Sequence, residues 1–591
     1  MKPVLHGRTF LLLALLCTIT LLPFLGLFDY HTKGEPRESI VAMTMLTDGN
    51  WIMPRNSYGE IAYKPPFFHW CIAVVSAIQG KVTEAGSRLP SAIALLLMTL
   101  GGYIFFLRRT GKRTALLTVL VGFTAFEIHR AGANCRVDMV LTALITGALY
   151  RLYEWYDKGM KGVAWSAVLL MGLATMTKGP VGSILPCLSM GIFLLLKRQN
   201  FWKVLLKMTI FGVLSLVFYA IWFYAAWQTA GDDFINLVYE ENIGRMTGTM
   251  TYKVHVLPWT FNIVSVVAGF VPWTLLFLIA LFFVNWKAFF GNLWQWWTDN
   301  VGVRIRSLFE NINFALAKAH DIDIFSLVCT AAIFIFYCIP ESKRSVYLMP
   351  IYPFIGYFVA RYILYCADTR PKPLRIFGSI LAVLTSVLFI AFIIVKLQLV
   401  PESVFGSGRH AAQNIAMLHS LEDIGGVASW LLVLVPTAAG AAWWHFRKEE
   451  GTAMAAYVVA LVMSIYVALD GVYTPTVLNS KSVKEIAAEI DRRAPASEGN
   501  IYEFMELSLE VKGDPLHFFE LNFYLNDRIG SFYYEQPDSG FLLTTAYDLG
   551  VRGEEFAAKG YEFTLCYEAP KRGIQLYRFN KNAEKALPQQ P

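Results

Sequence analysis

The sequence predicts a polytopic α-helical membrane protein that carries a small α/β domain after its last span. Of its 591 residues, 55% are hydrophobic and only 16% are charged, and the mean hydropathy is +0.46. Soluble globular domains are less apolar than this, so an integral membrane protein is expected. After residue 470 the composition becomes polar. We therefore divide the chain into a transmembrane domain, 1–470, and a C-terminal domain, 471–591.

Apolar runs long enough to cross a bilayer recur along the first domain and predict about thirteen transmembrane helices. They lie near residues 9–27, 91–107, 114–128, 139–155, 163–177, 180–196, 208–227, 262–284, 322–339, 346–365, 375–397, 428–446 and 453–470. The first run has no clear small-x-small cleavage site, so we interpret it as a retained span and not as a signal peptide. One further run, 65–80, is ambiguous because it is short.

The distribution of basic residues decides the orientation. If 65–80 lies in the outer interface without crossing, the basic clusters at 108–113, 197–203 and 370–375 fall on the same side as the N-terminus. The positive-inside rule then places the N-terminus in the cytoplasm. Residues 28–90 become the first periplasmic loop with interfacial helices, and the C-terminal domain becomes periplasmic. The net charge of +7 reflects these loops, so nucleic acid is not implied as a partner.

The C-terminal domain has the pattern of a small α/β unit. A helical pattern at 482–493 is followed by strand-like alternation at 561–568 and 574–580. The sequence there has no Gly-rich phosphate loop, catalytic triad spacing or metal motif, so a lid or partner-docking role is expected. The eight cysteines are scattered and indicate neither a disulfide framework nor a Cys-based metal site.

Charged residues in the outer loops form the candidate active site. Charges packed close to a bilayer are costly and suggest function, although an ordinary hydrated loop is the alternative. Cations there suit a phosphate, and a carboxylate can accept a proton from a hydroxyl nucleophile. Together they predict hydroxyl attack on a carbon whose leaving group is a lipid phosphate. The carboxylates are Glu35, Glu38 and Asp138, and the cations are Lys64, Lys178, Arg245 and Lys343.

Taken singly, these residues have simpler explanations. Asp138 could cap the helix that follows it, and Lys343 could anchor in the headgroup layer. A transporter for an anionic lipid would need similar cations and no carboxylate base. The alternatives to an enzyme are therefore a lipid-linked sugar flippase or exporter, and a non-catalytic sensor that would tolerate loss of every loop carboxylate.

Several motifs resemble the GT-C membrane glycosyltransferases that use polyprenyl-phosphate sugars, a superfamily that includes aminoarabinose–lipid A transferases and protein mannosyltransferases. The matching segments are GEPRES, MLTDGNWIMPR, AYKPPFFHW, SRLPSA, RVDMVLT, LATMTKGP, YEENIGRM and SKRSVYLMPIYP. The resemblance implies transfer of a sugar from an undecaprenyl-phosphate donor to a lipid A-like or protein acceptor. The reaction would take place at the periplasmic face of a bacterial inner membrane.

The resemblance also implies roles for individual residues. Lys64 and Arg245 resemble ligands of the donor phosphate, and Lys343 and Lys178 resemble additional cations around it. Asp138 resembles the second-loop carboxylate of this fold. We predict that the substrate-binding residues, on the acceptor side, are Arg37, Arg136 and Glu241.

The first loop departs from the family pattern. Relatives usually have Asp-Glu where this chain has Gly34-Glu35. Either Glu35 or Asp138 is therefore predicted to activate the acceptor hydroxyl, and Glu38, one helical turn after Glu35, is the third predicted catalytic carboxylate. The positions where the aminoarabinose branch has metal ligands hold Tyr63 and Asn242. No cofactor is therefore predicted, and a divalent metal would lack its usual ligands.

Overall fold

The part of the chain before residue 480 is helical, which agrees with the predicted fold class. The computed structural model describes residues 7–62, 64–244, 247, 256–288, 290–291, 318–408, 410–506, 517–570 and 572–582. The helices up to residue 480 are α1 Gly7–Ile19, α2 Gly34–Asp48, α3 Phe67–Gln79, α4 Glu84–Thr110, α5 Lys112–Phe123, α6 Phe126–Ala133, α7 Val137–Asp157, α8 Trp165–Lys178, α9 Val181–Leu196, α10 Phe201–Tyr239, α11 Thr260–Gly269, α12 Trp273–Leu281, α13 Asp321–Cys338, α14 Tyr352–Thr369, α15 Lys372–Lys396, α16 Ala411–Glu422, α17 Val427–Phe446, α18 Gly451–Ala468 and α19 Thr474–Asn479.

Eight helical segments of the described chain are long and apolar enough to cross a membrane. The number rises to ten if each of two bent helix pairs is one span. The predicted number of about thirteen spans is not confirmed. The last candidate span runs through α18 and α19 to Asn479, nine residues beyond the predicted domain boundary at 470. Helix α3 has 13 residues, about 20 Å, which is too short to cross a hydrocarbon core of about 30 Å.

Two apolar runs that the sequence predicts as continuous spans are each divided between two helices. The run 262–284, predicted as one span, is broken into α11 and α12, which meet at 109°. Pro272, which lacks a backbone N–H, precedes α12 and interrupts helical hydrogen bonding. The run 114–128, also predicted as one span, is divided between α5 and α6, which meet at 65°, and α6 extends to Ala133. Only a few residues then connect α6 to α7.

The C-terminal domain combines helices with a sheet, in agreement with the predicted small α/β domain, and its described residues form a mixed sheet of five strands. The strands are β1 Ile501–Glu503, β2 Ile529–Ser531, β3 Ser539–Thr545, β4 Tyr561–Glu568 and β5 Ile574–Lys581, in the order β2-β1-β3-β5-β4. Strand β1 is parallel to β2 and β3, whereas β5 is antiparallel to β3 and β4. The helices are α20 Lys484–Arg493, α21 Phe519–Tyr524, α22 Phe532–Glu535 and α23 Ala546–Ala558.

The C-terminal domain packs on the first loop through α21 and α2. Phe519 and Phe523 of α21 join Tyr30, Ile40 and Met43 in one buried cluster. Polar contacts surround this cluster: the Asn522 amide donates to Ser57 Oγ (2.9 Å), and the Tyr524 hydroxyl donates to Glu84 (3.0 Å). The domain therefore supports the helix that carries two of the predicted catalytic carboxylates.

Candidate active site

Helix α2 places Glu35 and Glu38 one turn apart, both inside the protein. Their exposed fractions are 2% and 6%. A carboxylate removed from water to this extent needs charged or hydrogen-bonding partners to remain ionised. The structure supplies a different set of partners to each of them.

Glu35 forms a two-pronged ion pair with Arg88 of α4. The Arg88 Nε donates to Oε1 (2.9 Å) and Nη2 donates to Oε2 (3.1 Å), while the backbone N–H of Cys135 donates to Oε1 (2.8 Å). Arg88 is itself fully buried, and its Nη1 donates to the carbonyls of Leu25 and Phe28 at 2.7 Å. Both oxygens of Glu35 are therefore occupied by protein donors, which favours a positioning role over contact with a substrate.

Glu38 is held by Lys64 and by His69 of α3. The Lys64 ammonium contacts Oε1, and His69 Nε2 lies 2.7 Å from Oε2. Burial alone would raise the pKa of Glu38, but Lys64, His69 and Arg37 outweigh it and hold that pKa well below its usual range. Glu38 is thus a stable anion whose charge fixes the Lys64 ammonium at this end of α2.

Asp138 lies in the first turn of α7 and pairs with Lys178 at the end of α8. The same ammonium lies over the ring of Tyr347, 4.2 Å from its centre. Asp138 also interacts electrostatically with Lys64, which links it to the Glu38 cluster. With 16% of its side chain exposed, against 3% and 7% for Glu35 and Glu38, Asp138 is the most accessible of the three carboxylates.

The remaining predicted residues lie at varying distances from this cluster. Arg37 contacts Glu38 at 3.5 Å, and the Arg136 guanidinium lies beside Gly34. The Lys343 ammonium donates to the carbonyl of Pro340 (2.6 Å), and the buried Glu241 lies in the turn Glu240–Gly244 that follows α10. The predicted phosphate ligand Arg245 lies outside the described residues. The roles proposed for all these residues stay predictions.

Sequence reasoning assigned no role to Arg88, His69 or Glu127. Glu127 of α6 is 4% exposed and accepts from Arg130 (2.8 Å) and from Ser345 (3.3 Å), the serine of the SKRSVY motif. All three lie on or beside apolar segments. A charge in such a segment implies a buried partner, and this signal could have identified them.

The described residues do not fit a metal site. No group of three or more His, Cys, Asp or Glu side chains in that part of the chain could hold an ion. Glu38 and His69 are a pair of possible ligands, but the Lys64 ammonium occupies the same carboxylate and would repel a cation. Tyr63, at one expected ligand position, is outside the described residues.

The arrangement suits chemistry on a phosphate ester. Lys64 and Lys178 present positive charge from separate segments, each held in place by a carboxylate. Preorganised cations of this kind stabilise negative charge that develops on a leaving phosphate. Asp138, the most accessible carboxylate, could accept the proton of an attacking hydroxyl.

Comparison with known proteins shows what the chain as a whole is similar to. Residues 63–224 match the profile of the family described as dolichyl-phosphate-mannose-protein mannosyltransferase. An undecaprenyl phosphate-alpha-4-amino-4-deoxy-L-arabinose arabinosyl transferase of Proteus mirabilis is 24% identical over 401 residues, which cover 66% of this chain and 65% of the relative. An uncharacterized protein of Aquifex aeolicus is 27% identical over 356 residues, 58% of this chain and 63% of the relative. The chain thus spans less than two thirds of the length of these curated relatives.

The fold is shared along nearly the whole chain with a solved structure. This structure is the crystal structure of ArnT from Cupriavidus metallidurans bound to undecaprenyl phosphate. The superposition covers 99% of this chain and 100% of the ArnT chain, with a TM-score of 0.66 and 18% sequence identity. At that identity the likeness shows the fold alone. The comparisons confirm the predicted fold class and the resemblance to the polyprenyl-phosphate-dependent GT-C superfamily.

Proposed function

We propose that this multi-span membrane protein with the GT-C fold is a glycosyltransferase that uses an undecaprenyl-phosphate-linked sugar. The observation that carries the proposal is the pair of linked contacts Glu38–Lys64 and Asp138–Lys178 at one site. They combine cations for a phosphate with an accessible carboxylate. A lipid transporter needs the first of these but has no use for the second.

The proposed reaction is a single inverting displacement. The oxygen of an acceptor hydroxyl forms a bond to the anomeric carbon of the sugar, and the bond from that carbon to the phosphate oxygen breaks. The electron pair leaves with undecaprenyl phosphate, and the hydroxyl proton moves to a carboxylate. Lys64 and Lys178, with Arg245 and Lys343 as further predicted cations, stabilise the charge on the leaving phosphate.

We assign the proton-accepting role to Asp138 and positioning roles to Glu35 and Glu38. Asp138 is accessible, whereas the two oxygens of Glu35 already accept three protein hydrogen bonds. Glu38 holds Lys64 in place. Arg37, Arg136 and Glu241 are proposed to bind substrate around this centre. The acceptor is proposed to be a lipid A-like glycolipid or a protein, reached at the periplasmic face of a bacterial inner membrane.

The experiment measures release of undecaprenyl phosphate, a product common to any donor sugar. Membrane vesicles that contain the full chain and the strain's own lipid-linked sugars are compared with vesicles that contain Lys64→Gln or Arg245→Gln. We expect each variant to lose about 2–4 kcal/mol of transition-state stabilisation, roughly 30- to 900-fold in rate. Lys203→Gln, an exposed lysine of α10, is the matched control. Wild-type rates for both variants would remove these residues from the site, and no release by the wild type would reject the proposed function.

A further inference from the structure

Arg136 differs from the neighbouring cations because its side chain has no hydrogen-bond or ion-pair partner in the part of the chain that the structure describes. Its backbone is fixed by Ser91, whose Oγ donates to the Arg136 carbonyl and accepts from its N–H at 3.1 Å. Its guanidinium lies along Gly34, where a methyl group added to the glycine would sit 3.7 Å from Nη1. Its Nε is buried and has no hydrogen-bond acceptor in the described part of the chain.

Five other cations of the site have a carboxylate or carbonyl partner in the protein, although the Nε of Arg130, like that of Arg136, is buried without an acceptor among the described residues. Each contacts a carboxylate or a carbonyl: Arg88 with Glu35, Lys64 with Glu38, Lys178 with Asp138, Arg130 with Glu127 and Lys343 with Pro340. Arg136 has no ion pair and no side-chain hydrogen bond among the described residues. Asp138 is near enough to interact with it electrostatically but is bound to Lys178 instead.

Gly34 explains why the guanidinium stays free. The helix α2 begins at this position, and the nearest heavy atom to an added side chain would be the guanidinium itself. An acidic side chain here would therefore neutralise Arg136 from within the protein. With glycine in its place, no carboxylate contacts the half-buried guanidinium among the described residues, and a partly buried cation of this kind is stabilised when a ligand supplies an anion.

We propose that Arg136, beside Gly34, binds an oxyanion that a substrate brings to the site. A guanidinium presents planar forked donors that match a phosphate or a carboxylate. The oxyanion has two possible sources, the phosphate of the lipid donor or an acidic group on the acceptor. The inference rests on the proposed function and adds that one substrate is recognised through an oxyanion at this position.

The first test measures binding of undecaprenyl phosphate to the full-length protein in lipid nanodiscs. If the donor phosphate is the ligand, Arg136→Gln weakens this binding by about ten- to a hundredfold, because it removes a charge-assisted hydrogen bond. Gly34→Asp has the same effect by supplying an internal carboxylate. Gly34→Asn, which has the same size and no charge, has a much smaller effect. Arg151→Gln, an exposed arginine far along α7, is the control.

The second test labels the wild-type protein and, together with the binding data of the first test, identifies the other source. Wild-type protein is treated with phenylglyoxal, which modifies accessible arginines, and the modified peptide that contains Arg136 is quantified by mass spectrometry. Protection by inorganic phosphate or glucuronate, with undecaprenyl phosphate binding unchanged in Arg136→Gln, assigns the site to an acidic group of the acceptor. No protection by inorganic phosphate, glucuronate or undecaprenyl phosphate, together with unchanged undecaprenyl phosphate binding in all variants, overturns the inference. The proposed function would survive that result if the wild type still released undecaprenyl phosphate.

Discussion

The ion pair between Glu35 and Arg88 allows a positioning role to be separated from a chemical one. The perturbation is Glu35→Gln, which keeps the size of the side chain and removes its charge. Arg88 would then be a fully buried cation without a carboxylate partner. Its hydrogen bonds to the carbonyls of Leu25 and Phe28 would remain, but these groups carry no charge. Removing one partner of a buried pair costs about 3–5 kcal/mol, because the other charge is left uncompensated.

A double-mutant cycle gives the magnitude. Arg88→Met should cost at least as much as Glu35→Gln, because it also leaves the two carbonyls without a donor. The loss of unfolding free energy in the double variant should be smaller than the sum of the losses in the two single variants. We expect the difference to be about 3 kcal/mol, the upper end for residues in contact. The assay is thermal unfolding of the purified protein in detergent, followed by tryptophan fluorescence, with release of undecaprenyl phosphate measured on the same samples.

We expect stability and transfer to fall together in Glu35→Gln, since α2 loses its anchor on α4 and Glu38 is displaced with it. A variant with wild-type stability and no transfer would refute this reasoning. Glu35 would then act in the chemistry itself, as predicted from the sequence.

Three further predictions follow from the site and from the docked domain. Asp138→Asn should abolish transfer and leave the unfolding temperature nearly unchanged, because Asp138 and Lys178 are partly exposed; a large loss of stability would indicate a structural role. Burial would lower the pKa of His517, but a hydrogen bond to Glu503 and an ion pair with Glu60 raise it to about 9. This pKa lies above the value of about 6.5 in the unfolded chain. The contact of protonated His517 with Glu60 of the first loop therefore stabilises docking of the C-terminal domain fully below about pH 6.5. This stabilisation is lost as the pH rises through about 9, so limited proteolysis of the wild type should become faster over this interval. In His517→Gln the rate of proteolysis should not change with pH over the same interval. Transfer should survive treatment with EDTA, and complete loss that one divalent ion restores would contradict the metal-free account.

The sequence predicted the helical membrane fold class, and it selected three charged residues that the structure brings together, because both depend on local patterns. Apolar runs, loop charges and short motifs identified Lys64, Asp138 and Lys178 as members of one centre. The choice of partners was not predictable from these patterns. Lys64 pairs with a carboxylate 26 residues earlier, and Lys178 with one 40 residues earlier. Which cation meets which carboxylate depends on how the helices pack.

Arg88 was missed because the candidate residues were selected only from the outer loops. It lies within an apolar helix and pairs with Glu35, which is 53 positions earlier in the sequence. A charged residue in such a helix indicates a buried partner, but the hydropathy pattern alone does not show it. The bends between α5 and α6 and between α11 and α12 were also missed. Continuous apolar runs predict the length of a span but carry little information about where tertiary packing bends it.

The most direct test of the account compares envelope components from strains that carry the wild-type gene, a deletion and Asp138→Asn. Lipid A and envelope proteins are analysed by mass spectrometry. We expect one acceptor of the wild-type strain to carry the mass of an added sugar that is missing from both other strains, while the Asp138→Asn protein remains in the membrane at wild-type abundance. If no acceptor differs by a sugar between wild type and deletion, or if Asp138→Asn retains the modification, the account of a carboxylate-assisted glycosyl transfer is contradicted.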